Sequence, residues 1–361
     1  MYNLKLLDEY VDKNLLRKAE DDDLVQYNYT EYCNNNGLWD EITMFNRGNV
    51  YEKKTGNLIA KAMPKFLNLG QLPEEKQKEL MLKPKFNLTE KMDGCLGILY
   101  MYKGEIRCNS RGSFDNYVTD KIKELLPKYV MLKTVLQHNT LNVEVISKET
   151  KIICDYGDTE DLYLITAYSN NSDIGELTYK DLTLLSQVMR MPIVKEYHMS
   201  WNNLLSFQKE ANWEQEGYVV RFPNNERVKI KSEDYLKVAA FKRNLNKHTL
   251  WKIWKNDLKQ RSEIDHVKEY MLSCPDELYS TATKYMEELK QALEIERKAV
   301  LNLVEMLKDK TNKEVGLYFK ENKSKYSGAV FSYRNGYEID SSIIEYIEPE
   351  EEEDYGKLLG G

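Results

Sequence analysis

Leu278, Ala282, Tyr285, Leu289, Leu293, Val300, Leu303 and Leu307 recur at helical spacing. The run is entered through Ser273 and Pro275, residues that open helices. A stripe of this length predicts a long helix with enough apolar surface for a core of its own. The C-terminal third is therefore expected to be an all-helical domain. The readable segments upstream alternate as strands do, so the chain divides into an N-terminal part, residues 1–245, and a helical part, 246–345. The tail, 346–361, holds the acidic run from Glu348 to Asp354 and is expected to be disordered. A chain of 361 residues, 42% of them hydrophobic, has room for two or three domains and a sizeable core.

Along the N-terminal part, Leu4, Leu7, Val11 and Leu15 predict an amphipathic helix ending near Asp21, Asp22 and Asp23. Leu24 to Thr30 reads as a strand with Tyr27 and Tyr29 on one face and Asn28 on the other. Ile42 to Glu52 is strand-like and contains Arg47-Gly48; a buried arginine there would need an anionic partner. Pro64-Lys65-Phe66-Leu67-Asn68 is basic and aromatic together. Leu96–Tyr102 and Glu105–Ser110 form a hairpin across Lys103-Gly104 and lead into the basic turn Ser110-Arg111-Gly112-Ser113. Ile122, Leu125, Leu126 and Tyr129 predict a helix. In Leu141–Ile146, Asn142 and Glu144 share one face, either solvated or aimed at a pocket. Leu162–Tyr168 is a further strand whose Tyr163 and Tyr168 are available to stack on a base. A second hairpin joins Glu216–Phe222 to Arg227–Lys231. Its last strand carries Arg227, Lys229 and Lys231 on one face, where three cations repel unless an anion lies between them. From Arg227 to Arg261 there are eleven Lys/Arg against three Asp/Glu, with Trp251 and Trp254 among them. That mixture fits a nucleic-acid face.

The stretch with the most chemical content is Lys91-Met92-Asp93-Gly94. A lysine leaving a loop beside a buried strand can act as a nucleophile once its amine is neutral. Gly94 lets backbone approach a ligand, and Asp93 can accept a hydrogen bond or orient the lysine. Other chemistries are disfavoured. The five cysteines are scattered and form no C-x-x-C pair, which reads as free thiols in a reducing cytosol with no zinc site. Four histidines leave little room for His-based metal or triad chemistry. The net charge of −7 argues against a non-specific nucleic-acid coat. The apolar runs are too short to cross a membrane, and Met1 to Lys5 does not read as a secretory signal.

Lys91-Met92-Asp93-Gly94, Ser110-Arg111-Gly112-Ser113, Val143-Glu144-Val145, Glu216-Gly217-Tyr218-Val219 and Val228-Lys229-Ile230-Lys231 follow one another in the order of the nucleotidyltransferase motifs of ligases and capping enzymes. The set resembles most closely the bacteriophage tRNA-repair RNA ligases, the RNA ligase 1 family. Tyr27-Asn28-Tyr29, Arg47-Gly48 and Pro64-Lys65-Phe66-Leu67-Asn68 resemble that family's N-terminal signature, and Tyr235 after Lys231-Ser232 fits it too. The resemblance implies an α+β fold: an adenylyltransferase domain of antiparallel sheets flanked by helices, then an all-α domain. The basic, tryptophan-bearing stretch at the start of that domain is expected to select RNA by phosphate contacts and stacking.

The resemblance also implies roles. Lys91 would form the covalent lysyl-AMP, and Glu144 would hold the ribose hydroxyls. Glu216 would bind or orient the divalent metal, and Lys229 and Lys231 would grip the α-phosphate. Tyr27, Arg47 and Lys65 would contact ATP and its leaving pyrophosphate, with Glu90 and Arg111 also in the nucleotide site. Tyr235 would serve the later, RNA-handling steps. The cofactors would be ATP and magnesium (Mg2+), with manganese (Mn2+) as an alternative. The partners would be broken tRNA or other single-stranded RNA ends and a polynucleotide kinase-phosphatase, with no membrane, in the cytoplasm of an infected bacterial host. Cys95 stands where the family usually has serine. The family's acidic metal contact in the early C-terminal domain has three candidates here, Asp257, Glu263 and Asp265. The cations around Lys91 are expected to lower its pKa before ATP binds. The rival readings are an mRNA guanylyltransferase or DNA ligase, which share the lysine motif, and a non-catalytic RNA-binding module.

Overall fold

A computed structural model describes residues 3–171, 173–260 and 264–350. Glu263 and most of the acidic tail, 351–361, lie outside the described residues. The chain forms two compact units, the first running to Lys237 and the second starting at Val238.

The first unit contains three four-stranded sheets. One is a meander of β1 (Leu16–Asp21), β2 (Leu24–Tyr29), β3 (Arg47–Glu52) and β4 (Leu58–Ala60). The next strands in sequence are β5 (Asn87–Lys91), β6 (Cys95–Tyr102), β7 (Glu105–Ser110), β8 (Asn139–Ile146) and β9 (Asp161–Ser169). The last are β10 (Glu196–Tyr197), β11 (Gly217–Arg221) and β12 (Arg227–Lys231). They make a sheet ordered β7-β6-β8-β9 and another ordered β10-β5-β11-β12. Neighbouring strands run antiparallel throughout, as expected.

Alternation along the strands decides the layers. Val25, Tyr27 and Tyr51 pack with Leu7 of the helix Leu4–Asp12. The opposite face of that sheet sends Leu24, Val50 and Ala60 against Leu96, Ile98 and Tyr100 of β6. The far face of β6, β8 and β9 is covered through Val118, Ile122 and Leu125 of the helix Tyr117–Leu125 and through Leu182. Behind β5, β11 and β12, Leu88, Val220, Phe222 and Ile230 meet Leu80 and Leu204. The β6–β7 turn at Lys103-Gly104 has φ of +49° and +82°, the left-handed pair that a two-residue hairpin requires.

Two expected elements differ. The first helix stops at Asp12, because Asn14 turns left-handed (φ +56°); Leu15 then leads into β1, and Asp21 to Asp23 belong to the β1–β2 hairpin. The stretch from Ile42 begins as the helix Glu41–Phe45, capped by Asp40, and only becomes strand at Arg47.

The second unit is helical. Its principal helix, Asp276–Met306, begins after Pro275 as the stripe predicts. Its core includes Leu250, Trp251, Leu289, Leu293, Val300, Phe319 and Ile343. Trp251 is 1% exposed and its indole N–H donates to the Ile344 carbonyl at 2.8 Å. Lys255 lies over its ring and pairs with Glu345, as does Lys259, while Lys247 pairs with Glu288. The expectation that Trp251 stacks on RNA is thereby overturned, because the ring is core; acids of the same unit pair with Lys247, Lys255 and Lys259. No helix among the described residues is long and apolar enough to cross a membrane. All five cysteines are buried as thiols.

Candidate active site

The sheet register builds the centre of the site. Gly217 at the start of β11 pairs with Lys91 at the end of β5 on one side and with Lys231 at the end of β12 on the other. Glu216, one residue earlier, therefore enters between two lysines. Its Oε2 is 2.7 Å from Lys91 Nζ and its Oε1 is 2.7 Å from Lys231 Nζ, with Glu216 only 2% exposed. Gly217 is required for this approach: its φ is +150°, and a Cβ there would lie 2.0 Å from the Ile230 carbonyl oxygen.

The loop after Lys91 is held by its own motif residues. Asp93 Oδ2 accepts from the backbone N–H of Ile153 (2.6 Å) and of Cys154 (2.8 Å), and Oδ1 accepts from the Tyr235 hydroxyl at 2.6 Å. The Asp93 N–H donates to the Tyr156 hydroxyl at 2.8 Å. Gly94 passes so close to β8 that a Cβ would lie 2.6 Å from the Val145 carbonyl oxygen, and its N–H donates to Glu144 Oε1 at 3.2 Å. Asp93 is thus a loop anchor, and Glu144 faces the Lys91–Gly94 loop rather than open solvent.

Electrostatics follow from these contacts. Burial pushes the Lys91 ammonium down, but Glu216, Glu144 and Asp93 outweigh it and hold the pKa above the ordinary lysine value. This reverses the expectation of a lowered pKa, because the nearest charges are carboxylates and not cations. Burial also works against Glu216, yet Lys91 and Lys231 keep it ionised and below the usual carboxylate range. Lys229 is the opposite case: burial, then Lys231, Lys91, Lys65 and Arg47, drive its pKa well down. Among the described residues its ammonium has no carboxylate partner; it lies 5.7 Å from the centre of the Phe66 ring.

The cations extend outward. Lys65 donates to Asn34 Oδ1 at 3.0 Å and to the Tyr29 hydroxyl at 3.5 Å, and Arg111 Nη1 donates to the same hydroxyl at 2.9 Å. Arg47 Nη1 is buried with no hydrogen-bond partner among the described residues. Asn49 and Asn142 pin the segment leading to Lys65 by accepting from the N–H groups of Ala62 and Met63, each at 2.7 Å. The Tyr29 phenol, though burial pushes it up, is brought down to about 8 by Arg111, Arg47 and Lys65.

The structure thus brings together Lys91, Glu144, Glu216, Lys229, Lys231, Arg47, Lys65 and Arg111, with Tyr235 beneath the loop. Two expected residues lie apart from this group. The Tyr27 hydroxyl is taken up by Asp8 at 3.0 Å in the first sheet's core. The Glu90 carboxylate accepts from the Lys195 N–H at 3.4 Å, and alternation along β5 turns it to the other face from Lys91. Tyr29, not Tyr27, joins the cations; the pattern Tyr27-Asn28-Tyr29 gives both tyrosines one face, so alternation alone cannot choose between them. Arg227 is paired with Glu176, which removes one of the three β12 cations from the group. Tyr168 is 3% exposed with Lys61 4.5 Å over its ring, so it is not open for stacking.

For a metal, Glu216 offers one carboxylate. Magnesium takes one or two carboxylates and fills the rest of its shell with substrate oxygens and water. That fits a site where no group of three or more metal-ligating side chains stands together among the described residues. Of the C-terminal candidates, Asp257 is held by His266 at 2.6 Å and Asp265 caps the helix His266–Leu272.

Glu144 gives the site a pH signature. Burial first, then Glu216, raise its pKa from 4.5 to about 7, a change worth roughly 3 kcal/mol. A raised folded-state pKa stabilises the fold below the unfolded value, and that contribution disappears as pH rises through about 7. Glu144→Gln is permanently neutral and should melt higher than the native protein at pH ~8 but about equally at pH ~4.5. Parallel melts at those two pH values check this; an equal difference at both would contradict it.

Against known proteins, the model of the RNA ligase family matches residues 46–236. The chain belongs to the RNA ligase family. The family match covers Arg47, Lys65, Lys91, Arg111, Glu144, Glu216, Lys229, Lys231 and Tyr235; Tyr27 and Tyr29 precede it. A protein from Thermovibrio ammonificans whose name places it among RNA ligases is 28% identical over 151 residues, 40% of this chain. The match spans about two fifths (39%) of that relative's length. Among solved structures, an archaeal ATP-dependent RNA ligase is similar with a TM-score of 0.50 and 13% identity, over 80% of this chain and 79% of that one. The likeness is one of fold. A Naegleria gruberi RNA ligase variant with AMP and Mn gives a TM-score of 0.40 and 17% identity, over 49% of this chain and 57% of that chain.

Proposed function

We propose that this chain is an ATP-dependent RNA ligase acting on broken tRNA or other single-stranded RNA ends. Lys91 Nζ attacks the α-phosphorus of ATP; the N–P bond forms as the bond to the bridging oxygen breaks, and pyrophosphate leaves. The AMP then passes to an RNA 5′-phosphate, and a 3′-hydroxyl displaces AMP to seal the strand. The observation that carries this reading is Lys91 beside a group of cations, two of which, Lys229 and Arg47, are half-buried with no anionic partner among the described residues. A triphosphate supplies the missing negative charge.

Each residue has a part that follows from its contacts. Lys91, paired with Glu216, loses its ammonium proton to solvent before the neutral amine attacks. Lys229 and Lys231, at the end of β12, offset charge at the transferring phosphate, while Arg47, Lys65 and Arg111 receive the leaving pyrophosphate. Glu144 binds the ribose hydroxyls. Glu216, freed from one of its two lysines, would hold a divalent cation, magnesium or manganese, which would supply further positive charge to the phosphates. The helical second unit selects the RNA, and a kinase-phosphatase prepares its ends in the host cytoplasm.

The test is to incubate the protein with α-labelled ATP or GTP and run a denaturing gel, then add RNA bearing 5′-phosphate and 3′-hydroxyl ends. Label from ATP, lost on addition of RNA with formation of a joined product, is expected. Label from GTP in preference to ATP would favour the guanylyltransferase reading, and joining of DNA alone the DNA ligase reading. No label at all would leave a non-catalytic RNA-binding module.

A further inference from the structure

Asn28 is 2% exposed, and both polar atoms of its amide lack a hydrogen-bond partner among the described residues. A buried amide in that state costs free energy unless something binds it. Its cross-strand partners are Arg17 on β1 and Arg47 on β3, so one row across the sheet reads Arg17–Asn28–Arg47. Arg47 Nη1 is orphaned as well.

A third guanidinium closes the row from the neighbouring sheet. Gln26, also on β2, donates to the carbonyls of Ser110 and Arg111 at 2.8 and 2.7 Å and fixes the turn that carries Arg111. Arg17 lies over the next residue: a Cβ on Gly112 would come within 2.2 Å of Arg17 Nη2. Arg111 is held below its ordinary range by burial, Tyr29 notwithstanding, with Arg47 and Arg17 adding to the effect. Arg17 is exposed, and no carboxylate pairs with it among the described residues. Three guanidiniums around an unsatisfied amide repel one another until an oxyanion enters. Arginine's planar donors and an amide N–H suit the several oxygens of a phosphate.

We propose that Arg17 and Asn28, with Arg47 and Arg111, form a phosphate-binding row that opens to solvent at Arg17. The inference rests on the RNA-ligase reading above and deepens it. Within that reading the phosphate has two sources, the terminal phosphate of ATP or the 5′-phosphate of the RNA end.

The test uses the full chain, native and as Arg17→Gln and Asn28→Ala. Each is titrated calorimetrically with a single-stranded RNA bearing a 5′-phosphate and with the same RNA bearing a 5′-hydroxyl. Single-turnover labelling of Lys91 is followed against ATP concentration in parallel. If RNA is the source, the native protein prefers the phosphorylated strand by roughly tenfold. Arg17→Gln then abolishes the preference and shallows the salt dependence by ~0.7 in log–log slope. If ATP is the source, half-saturating ATP rises about tenfold in both variants with the limiting rate retained, and the RNA preference is unaffected. Arg17→Gln indistinguishable from the native protein in both arms overturns the row. Arg17 is decisive because its exposure makes the variant safe to fold, whereas Asn28→Ala alters a buried position. A native protein that forms no Lys91 adduct refutes the ligase reading separately, since the calorimetric preference needs no turnover.

Discussion

Replacing Lys91 with alanine should abolish the covalent nucleotide adduct and leave the protein folded. Neither neighbouring lysine is placed to substitute for it. Lys231 and Lys229 both lie on β12, whereas Lys91 ends β5 and opens the loop that Asp93 anchors. The fold should survive because Asp93, not Lys91, anchors the loop to Ile153, Cys154 and Tyr235. In the native protein the rate of adduct formation should climb with pH through the neutral range, since the carboxylates beside Lys91 keep most of it protonated. Label appearing on Lys91→Ala would refute the assignment of the nucleophile. A rate that is flat with pH would refute the ion pair as the resting state.

Glu216→Ala and Lys229→Ala should each slow adduct formation by at least about a hundredfold, the order found when a preorganised charge is removed from a transferring group. The two variants should differ in stability. Removing Glu216 leaves Lys91 and Lys231 buried side by side without their shared counter-ion, which is strongly destabilising. Removing Lys229 takes away a cation that burial and its neighbours already oppose, so Lys229→Ala should melt at or above the native temperature. Single-turnover labelling with melts on the same samples tests both. A near-native rate in Lys229→Ala would make its ammonium a bystander. A lower melting temperature would mean an unseen partner holds it.

Much of the fold is legible in the order and spacing of the residues alone. The alternation in Leu141–Ile146 and in the hairpin from Glu216 to Lys231 specifies strands and faces correctly, because one side of each is core. The helical stripe from Leu278 marks the second unit for the same reason. What alternation cannot supply is what lies across a strand. The partner of Glu216 depends on the register of β5, β11 and β12, and without that register the pKa of Lys91 is expected in the wrong direction. Asp93 cannot be read as an anchor, since Ile153, Cys154 and Tyr235 are far off in sequence. Composition misleads at Trp251: tryptophans among lysines look like a nucleic-acid face whether the ring is outside or, as here, in the core.

The register that seats one carboxylate between two lysines also guards the protein against its own reactivity. A neutral amine in an open pocket would be acylated or carbamylated by small electrophiles in the cell, and each such event would end a molecule's working life. Held as an ammonium against Glu216, the nitrogen has no lone pair to offer. The residue proposed to break a phosphoanhydride therefore rests chemically inert, and its inertness is undone only when something with a stronger claim on Glu216 or on that proton arrives.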